Sequence, residues 1–172
     1  MAVENALLGL LRREPRHGYE LAREFAPDTP LGEVVHLEMS MLYALLKKLE
    51  RDGLVHSAMQ IQGSRPPRKV FELTGAGHEA LDRWLAEPVE RTRDLRLEFL
   101  LKLYIARDAG PELARNLIAG QYDTCARHVA SLQEQIDAEK DSFRRLVLEM
   151  RMAQNAALLD WLAKARGEAV SA

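Results

Sequence analysis

The chain has 172 residues, of which 47% are hydrophobic and 29% charged, with a formal net charge of −2 at pH 7. That balance excludes a disordered chain, and no apolar run approaches the ~18–20 residues a membrane span needs. The single cysteine, Cys125, excludes an internal disulfide, and Glu4 with no basic stretch before it argues against a secretory leader, so the expected location is cytoplasmic.

In chain order, Val3–Arg13 predicts a helix with Leu7, Leu8 and Leu11 toward a core. Glu14-Pro15 ends it, because the residue before proline is pushed out of the helical region. His17-Gly18 signals a turn. Tyr19–Phe25 predicts a short second helix with Leu21, Ala22 and Phe25 on one side, and Ala26–Gly32 reads as a loop from its prolines and glycine. A third helix is expected over Glu38–Asp52. Leu42, Leu45, Leu46 and Leu49 recur at i, i+3, i+4 and i+7, while Ser40, Tyr43, Ala44, Lys47 and Arg51 share the other face. Gly53 is placed to end it in the left-handed conformation.

Leu54–Ile61 and Lys69–Leu73 read as strands around a turn, Gln62–Arg68, with a basic tip. Thr74 is the expected N-cap of a helix over Gly75–Ala86. Beyond Thr92 the pattern is helical throughout. Leu95, Phe99, Lys102 and Ala106 line one side of a helix over Arg93–Arg107, and Ala109-Gly110-Pro111 breaks it. Ile118, Tyr122, Cys125, Val129, Leu132 and Ile136 then alternate at spacings of four and three, a heptad seam. A last helix, Phe143–Ala165, is apolar on more than one face, through Met150, Leu158 and Trp161 among others, and has to bury that surface.

The neutral total conceals a local excess: between residues 47 and 69, Lys47, Lys48, Arg51, Arg65, Arg68 and Lys69 stand against Glu50 and Asp52. Such a patch is enough to engage phosphates, although by itself it also describes a solvated surface. Three helices followed by a hairpin with a basic tip and another helix form a winged helix-turn-helix. That module lays its third helix in the major groove and reaches the backbone with its wing. Ser40, Met41, Tyr43 and Ala44 would approach the bases. Lys47, Lys48 and Arg51, with Arg65, Arg68 and Lys69 from the wing, would hold phosphates.

These residues resemble the PadR family of transcriptional regulators. Leu8-Gly9-Leu10-Leu11 followed by Pro15-Arg16-His17-Gly18-Tyr19-Glu20-Leu21 is similar to its N-terminal signature. Leu42-Tyr43 with Leu46, Lys47, Lys48, Leu49, Glu50, Gly53 and Leu54 is similar to its recognition helix. Arg65, Pro67, Arg68, Lys69, Phe71, Leu73-Thr74 and Gly77 are similar to its wing. Glu98–Leu103 and Leu159–Leu162 resemble the C-terminal domain of its long subfamily. Met41 stands where the family has Ser or Thr, Ala44 where proline is common, Pro66-Pro67 where one proline is usual, and Val70-Phe71 where tyrosines are common. The resemblance implies a repressor that binds a near-palindromic operator in double-stranded DNA as a homodimer and answers to a small-molecule or stress signal.

The expected architecture is mostly α: a winged helix-turn-helix of three helices and a two-stranded wing over residues 1–88, then a helical dimerisation and effector domain over residues 93–167. The dimer interface is expected at Ile118, Tyr122, Cys125, Val129, Leu132, Ile136, Met150, Leu158 and Trp161. Trp84 and Trp161 could instead stack on a planar effector, although tryptophans at helical spacing more often only pack. Cys125 on the seam reads as a small buried residue rather than a redox sensor. No histidine pair has metal-ligand spacing, and no phosphate loop, nucleophile elbow or paired-acid motif points to catalysis. No metal, cofactor, membrane contact or enzyme activity is therefore expected. The alternative is a helical protein-interaction adaptor, which would have no use for the basic wing.

Overall fold

The computed structural model describes the backbone at residues 1–62 and 65–171 and the side chains at residues 1–60 and 68–167. It divides into two compact units. One comprises Met1–Glu87 with Arg96–Ile105; the other comprises Pro88–Leu95 and the chain from Ala106 onward.

The first unit contains helices α1 (Ala2–Leu10), α2 (Gly18–Glu24), α3 (Pro30–Val34), α4 (Met39–Arg51) and α5 (Gly75–Ala86). Its strands are β1 (Arg16–His17), β2 (Val55–Gln62) and β3 (Arg65–Leu73). Leu7 and Leu8 of α1, Leu21 and Phe25 near α2, Leu42 and Leu46 of α4 and Leu81 of α5 are fully buried together with Phe71, Phe99 and Leu101. Each such side chain contributes about 1.5–3 kcal/mol of transfer free energy, which fixes how the helices are turned.

The expected winged helix-turn-helix is present, with two additions. The stretch read as a loop, Ala26–Gly32, contains the start of α3. Thr29 caps that helix: its hydroxyl accepts from the Gly32 amide at 3.1 Å, and Pro30 fills the first turn. Gly32 is required there, because a Cβ would lie 1.8 Å from the Ala26 carbonyl oxygen. The helix expected third is thus α4. The wing hairpin also gains a short third strand, giving the order β1-β3-β2, with Arg16 opposite Phe71 and His17 opposite Val70. His17, read as part of a turn, also leads into α2. Its amide donates to Glu20 Oε2 at 2.8 Å, and its Nδ1 lies 3.3 Å from the Lys69 carbonyl.

The strands extend further toward the tip than expected, pairing Gln62 with Arg65. The next pair inward is Gln60 with Arg68, so Ile61 faces two residues, Pro66 and Pro67. Neither proline has an amide to offer a ladder, and a bulge is where a strand tolerates that loss. At the wing exit Thr74 caps α5, accepting from Gly77 at 3.0 Å and donating to the Gly53 carbonyl at 2.7 Å. Gly53 has φ +75°, the left-handed stop expected after α4.

Helix α6 (Thr92–Asp94) continues through a π-helical turn, Leu95–Phe99, into α7 (Leu100–Ala109). The second unit is dominated by α8 (Pro111–Ala138) and α9 (Ser142–Ser171), a helical hairpin packed along its length. Gly110 and Pro111 open α8 as expected. Gln121, fully buried, clamps the Val89 backbone: its Oε1 accepts from the Val89 amide at 2.8 Å and its Nε2 donates to the Val89 carbonyl at 2.9 Å.

The heptad seam belongs to this hairpin. Ile118, Cys125 and Leu132 are buried within the single chain, and Tyr122, Val129 and Ile136 are half-buried. A seam spaced at 3.5 residues serves a partner helix of the same chain as well as one from another chain. This corrects the expected dimer interface: Ile118, Cys125 and Leu132 have no surface left to offer a second copy. The apolar surface still open lies on α9, where Phe143 is 72% and Met150 64% exposed, with Leu146, Val147 and Trp161 also exposed and Leu158 half-buried.

Candidate nucleic-acid interface

Helix α4 is held by Leu42, Leu46 and Leu49, all buried, so its opposite face is fixed outward. On that face Ser40, Met41, Tyr43, Ala44, Lys47 and Arg51 are exposed, Met41 at 58% and Tyr43 at 44%. The exposed residues at its N-terminal end are short or neutral and those at its C-terminal end are cationic. That is the distribution a helix needs to present one end to base edges and the other to phosphates.

Tyr43 leans on α2. A Cβ at Gly18 would come within 2.7 Å of the Tyr43 ring and hydroxyl. Beside that contact a crevice of about 620 Å³ opens between α2, α4 and β3, lined by Tyr19, Arg23, Tyr43 and Arg68 among others. Tyr19 and Arg23 were not singled out in the sequence, where α2 read only as scaffold. Their i, i+4 spacing, away from the buried Leu21 and Phe25, was the available signal.

Two of the expected phosphate cations are engaged within the chain. Lys48 donates to Glu4 Oε1 at 2.8 Å and ties α4 to α1. Burial would raise the Glu4 carboxyl, but hydrogen bonds from Lys48 and the chain's amino group outweigh it and hold the pKa down to about 2. Lys69 donates to Glu50 Oε2 at 2.9 Å and lies over the Phe71 ring, 5.2 Å from its centre. Glu50 also accepts from the Ser57 hydroxyl. The Ser57 bond first and Lys69 second keep Glu50 below the usual carboxylate range. In the unbound chain Lys48 and Lys69 thus act as struts of the module, each with its side chain still partly exposed. Arg68 is exposed on the wing, and the Arg65 side chain lies outside the described residues.

The two tryptophans expected at an effector site belong to different units. Trp84 is a buried residue of the first unit: its Nε1 donates to Glu98 Oε1 at 2.9 Å, and the Lys102 Nζ lies 5.3 Å from its ring centre. Lys102 is itself buried and donates to the Glu87 carbonyl at 2.5 Å; burial pushes its pKa down. Trp84 thus has its ring committed to a buried polar cluster. Trp161 belongs to the second unit, exposed on α9. Cys125 is buried and burial raises its thiol pKa, so the reactive thiolate is disfavoured. Among the described residues, none group as ligands for a metal ion and no helix is long and apolar enough to cross a membrane.

Comparison with known proteins finds relatives for both parts of the chain. Residues 7–83 match the transcriptional regulator PadR-like family, and residues 95–168 match the virulence activator alpha C-terminal family. Over 130 residues the chain is 31% identical to the negative transcriptional regulator PadR of Bacillus subtilis (strain 168), covering 74% of this chain and 69% of that protein. Over 93 residues it is 34% identical to the probable transcriptional regulator Rv1176c of Mycobacterium tuberculosis, covering 54% of this chain and about half, 48%, of that protein. The crystal structure of Bacillus subtilis PadR in complex with operator DNA matches with a TM-score of 0.50 at 25% identity, over 98% of this chain and 99% of that one.

Proposed function

The chain belongs to the PadR-like family of transcriptional regulators, and from that premise we propose that it is a cytoplasmic repressor that binds a near-palindromic operator in double-stranded DNA as a homodimer. The observation that carries this reading is the outward face of α4. Buried leucines fix it beside the wing, with Ser40, Met41, Tyr43 and Ala44 toward the bases and Lys47 and Arg51 toward the backbone. Arg65 and Arg68 serve the wing. Tyr43 reads a base edge or phosphate, and Met41 offers an apolar contact such as a thymine methyl accepts.

The second copy docks on the apolar face of α9, around Phe143, Leu146, Met150 and Trp161, which a lone chain would leave in water. An effector acts by binding one arrangement of the dimer more tightly than the other, so that operator affinity changes with occupancy. The protein works by binding rather than by catalysis. The test is selection of bound sequences from a random DNA pool. A recovered motif with two-fold symmetry is the expected result. Retention of no DNA, even at low salt, would favour the adaptor reading instead.

A further inference from the structure

The second unit contains a cleft of about 560 Å³ between the segment at residues 90–93 and the facing stretches of α8 and α9. Among the described residues its charged lining is one-sided: Arg91, Arg93 and Arg151 stand against Glu90, with the His128 ring beside them. Glu90 is already engaged, with Oε2 3.6 Å from His128 Nε2. Arg93 leans on Asp94 at 3.8 Å, whereas Arg91 and Arg151 have no carboxylate within 4 Å among the described residues. Guanidinium groups that line one cleft without a carboxylate of their own, as Arg91 and Arg151 do, lower their energy by binding an anion, with the fork geometry suited to a carboxylate or phosphate.

The floor is built rather than incidental. Asn155 is only 2% exposed although it is polar. Its Nδ2 donates to the Arg151 carbonyl at 2.8 Å, and its Oδ1 takes the Thr92 hydroxyl at 3.1 Å. These bonds hold the 90–93 segment against α9 and keep the cleft polar to its base. Among the described residues Leu132 is the one aliphatic side chain in the lining and no Phe, Tyr or Trp contributes to it, so the cleft suits a small polar molecule rather than a flat hydrophobic one.

We infer that this cleft is the effector site, and that its ligand is a small oxyanion, a di- or tricarboxylate or a phosphate ester, held by Arg91 and Arg151. The inference rests on the regulator reading and supplies the ligand class that reading lacks. The probes are citrate, succinate, inorganic phosphate and glycerol 3-phosphate, each titrated calorimetrically into the full-length protein at constant ionic strength. Uncharged glycerol is the control. At least one anion should bind saturably, and the carboxylate and phosphate arms separate the two sources of the charge. The Arg91→Ala/Arg151→Ala variant, altered only at exposed side chains, should keep its helical circular dichroism and lose about tenfold or more in that affinity. The bound anion should change operator affinity about fivefold or more in the wild type and leave the variant unaffected. Absence of saturable binding by every probe, equal binding by the variant, or binding without any change in operator affinity would each overturn the inference. Anion-free operator binding is measured in parallel. If it persists when the anions fail, the effector site alone is wrong; if it too is absent, the regulator reading falls.

Discussion

The Tyr43 ring occupies the space that a side chain at Gly18 would need: a Cβ there would lie 2.7 Å from its Cε1, Cζ and hydroxyl oxygen. The residue that opens α2 thereby sets the direction of the largest exposed side chain on α4. Removing the ring, in Tyr43→Ala, should cost about 1–3 kcal/mol in operator binding and much less on random DNA. Thermal stability should hold, because the ring is 44% exposed. In Gly18→Ala the new methyl meets the far end of a side chain that can swing, so the fold should survive while part of the same operator affinity is lost. Titration of both variants against operator and random DNA checks this. A large drop in melting temperature with unchanged operator preference would mean that Tyr43 serves the core.

Among the described residues the wing holds two cations in different states, Arg68 exposed and Lys69 in an ion pair. Arg68 is exposed, so Arg68→Ala should weaken operator and random DNA alike and reduce the salt slope by about one. Lys69 already pairs with Glu50, and the Lys69→Ala variant should lose about 0.2–1 kcal/mol of stability with a smaller change in salt slope. Binding measured across a salt series gives both slopes. Equal slopes for the two variants would show that Lys69 leaves Glu50 to meet the DNA.

What was legible in the sequence is local or periodic. The leucine stripe of α4, the Thr74 cap and the Gly53 stop all follow from rules that act within a few residues, and all stand where they were expected. The additions follow from weaker signals. Helix α3 has a sound start in Thr29-Pro30, but its prolines and glycine read first as a loop. Strand β1 is two residues long, too short for alternation to register, and is defined by its partner β3. The ion pairs of Lys48 and Lys69 join residues 44 and 19 positions apart, so no spacing rule within one element could tell a strut from a phosphate ligand. The bulge gives the double proline of the wing a physical reason that the sequence left as an oddity.

Acid should loosen the tie between α1 and α4. Glu4 has its pKa lowered from 4.5 to about 2, so its contribution to stability is complete above about 4.5 and is lost as pH falls toward 2. Glu4→Gln removes the titrating group. Its stability at pH 7 should be lower than that of the wild type, and the difference should shrink across that acid window. Melting curves from pH 7 down to the acid limit measure it. A pH-independent difference would show that the loss comes from packing rather than from charge.

The last prediction separates the two apolar surfaces of the α8–α9 hairpin. Leu132 is buried within the chain, whereas Met150 is 64% exposed on α9. A charge placed in an apolar environment costs several kcal/mol unless it is paired, and where that cost appears depends on what covers the site. Leu132→Glu should therefore destabilise the hairpin itself, lowering the melting temperature and the helical signal at any concentration. Met150→Glu leaves the folded chain with a charge already in water, so its helical signal should match the wild type. It should instead act on association, moving the light-scattering mass from dimer toward monomer at micromolar concentration. Operator binding should weaken with it, because two recognition helices on one body bind a two-fold site far more tightly than separate ones. A wild type that is cleanly monomeric at that concentration, or a Met150→Glu variant that remains fully dimeric, would show that the second copy docks elsewhere than on this face of α9.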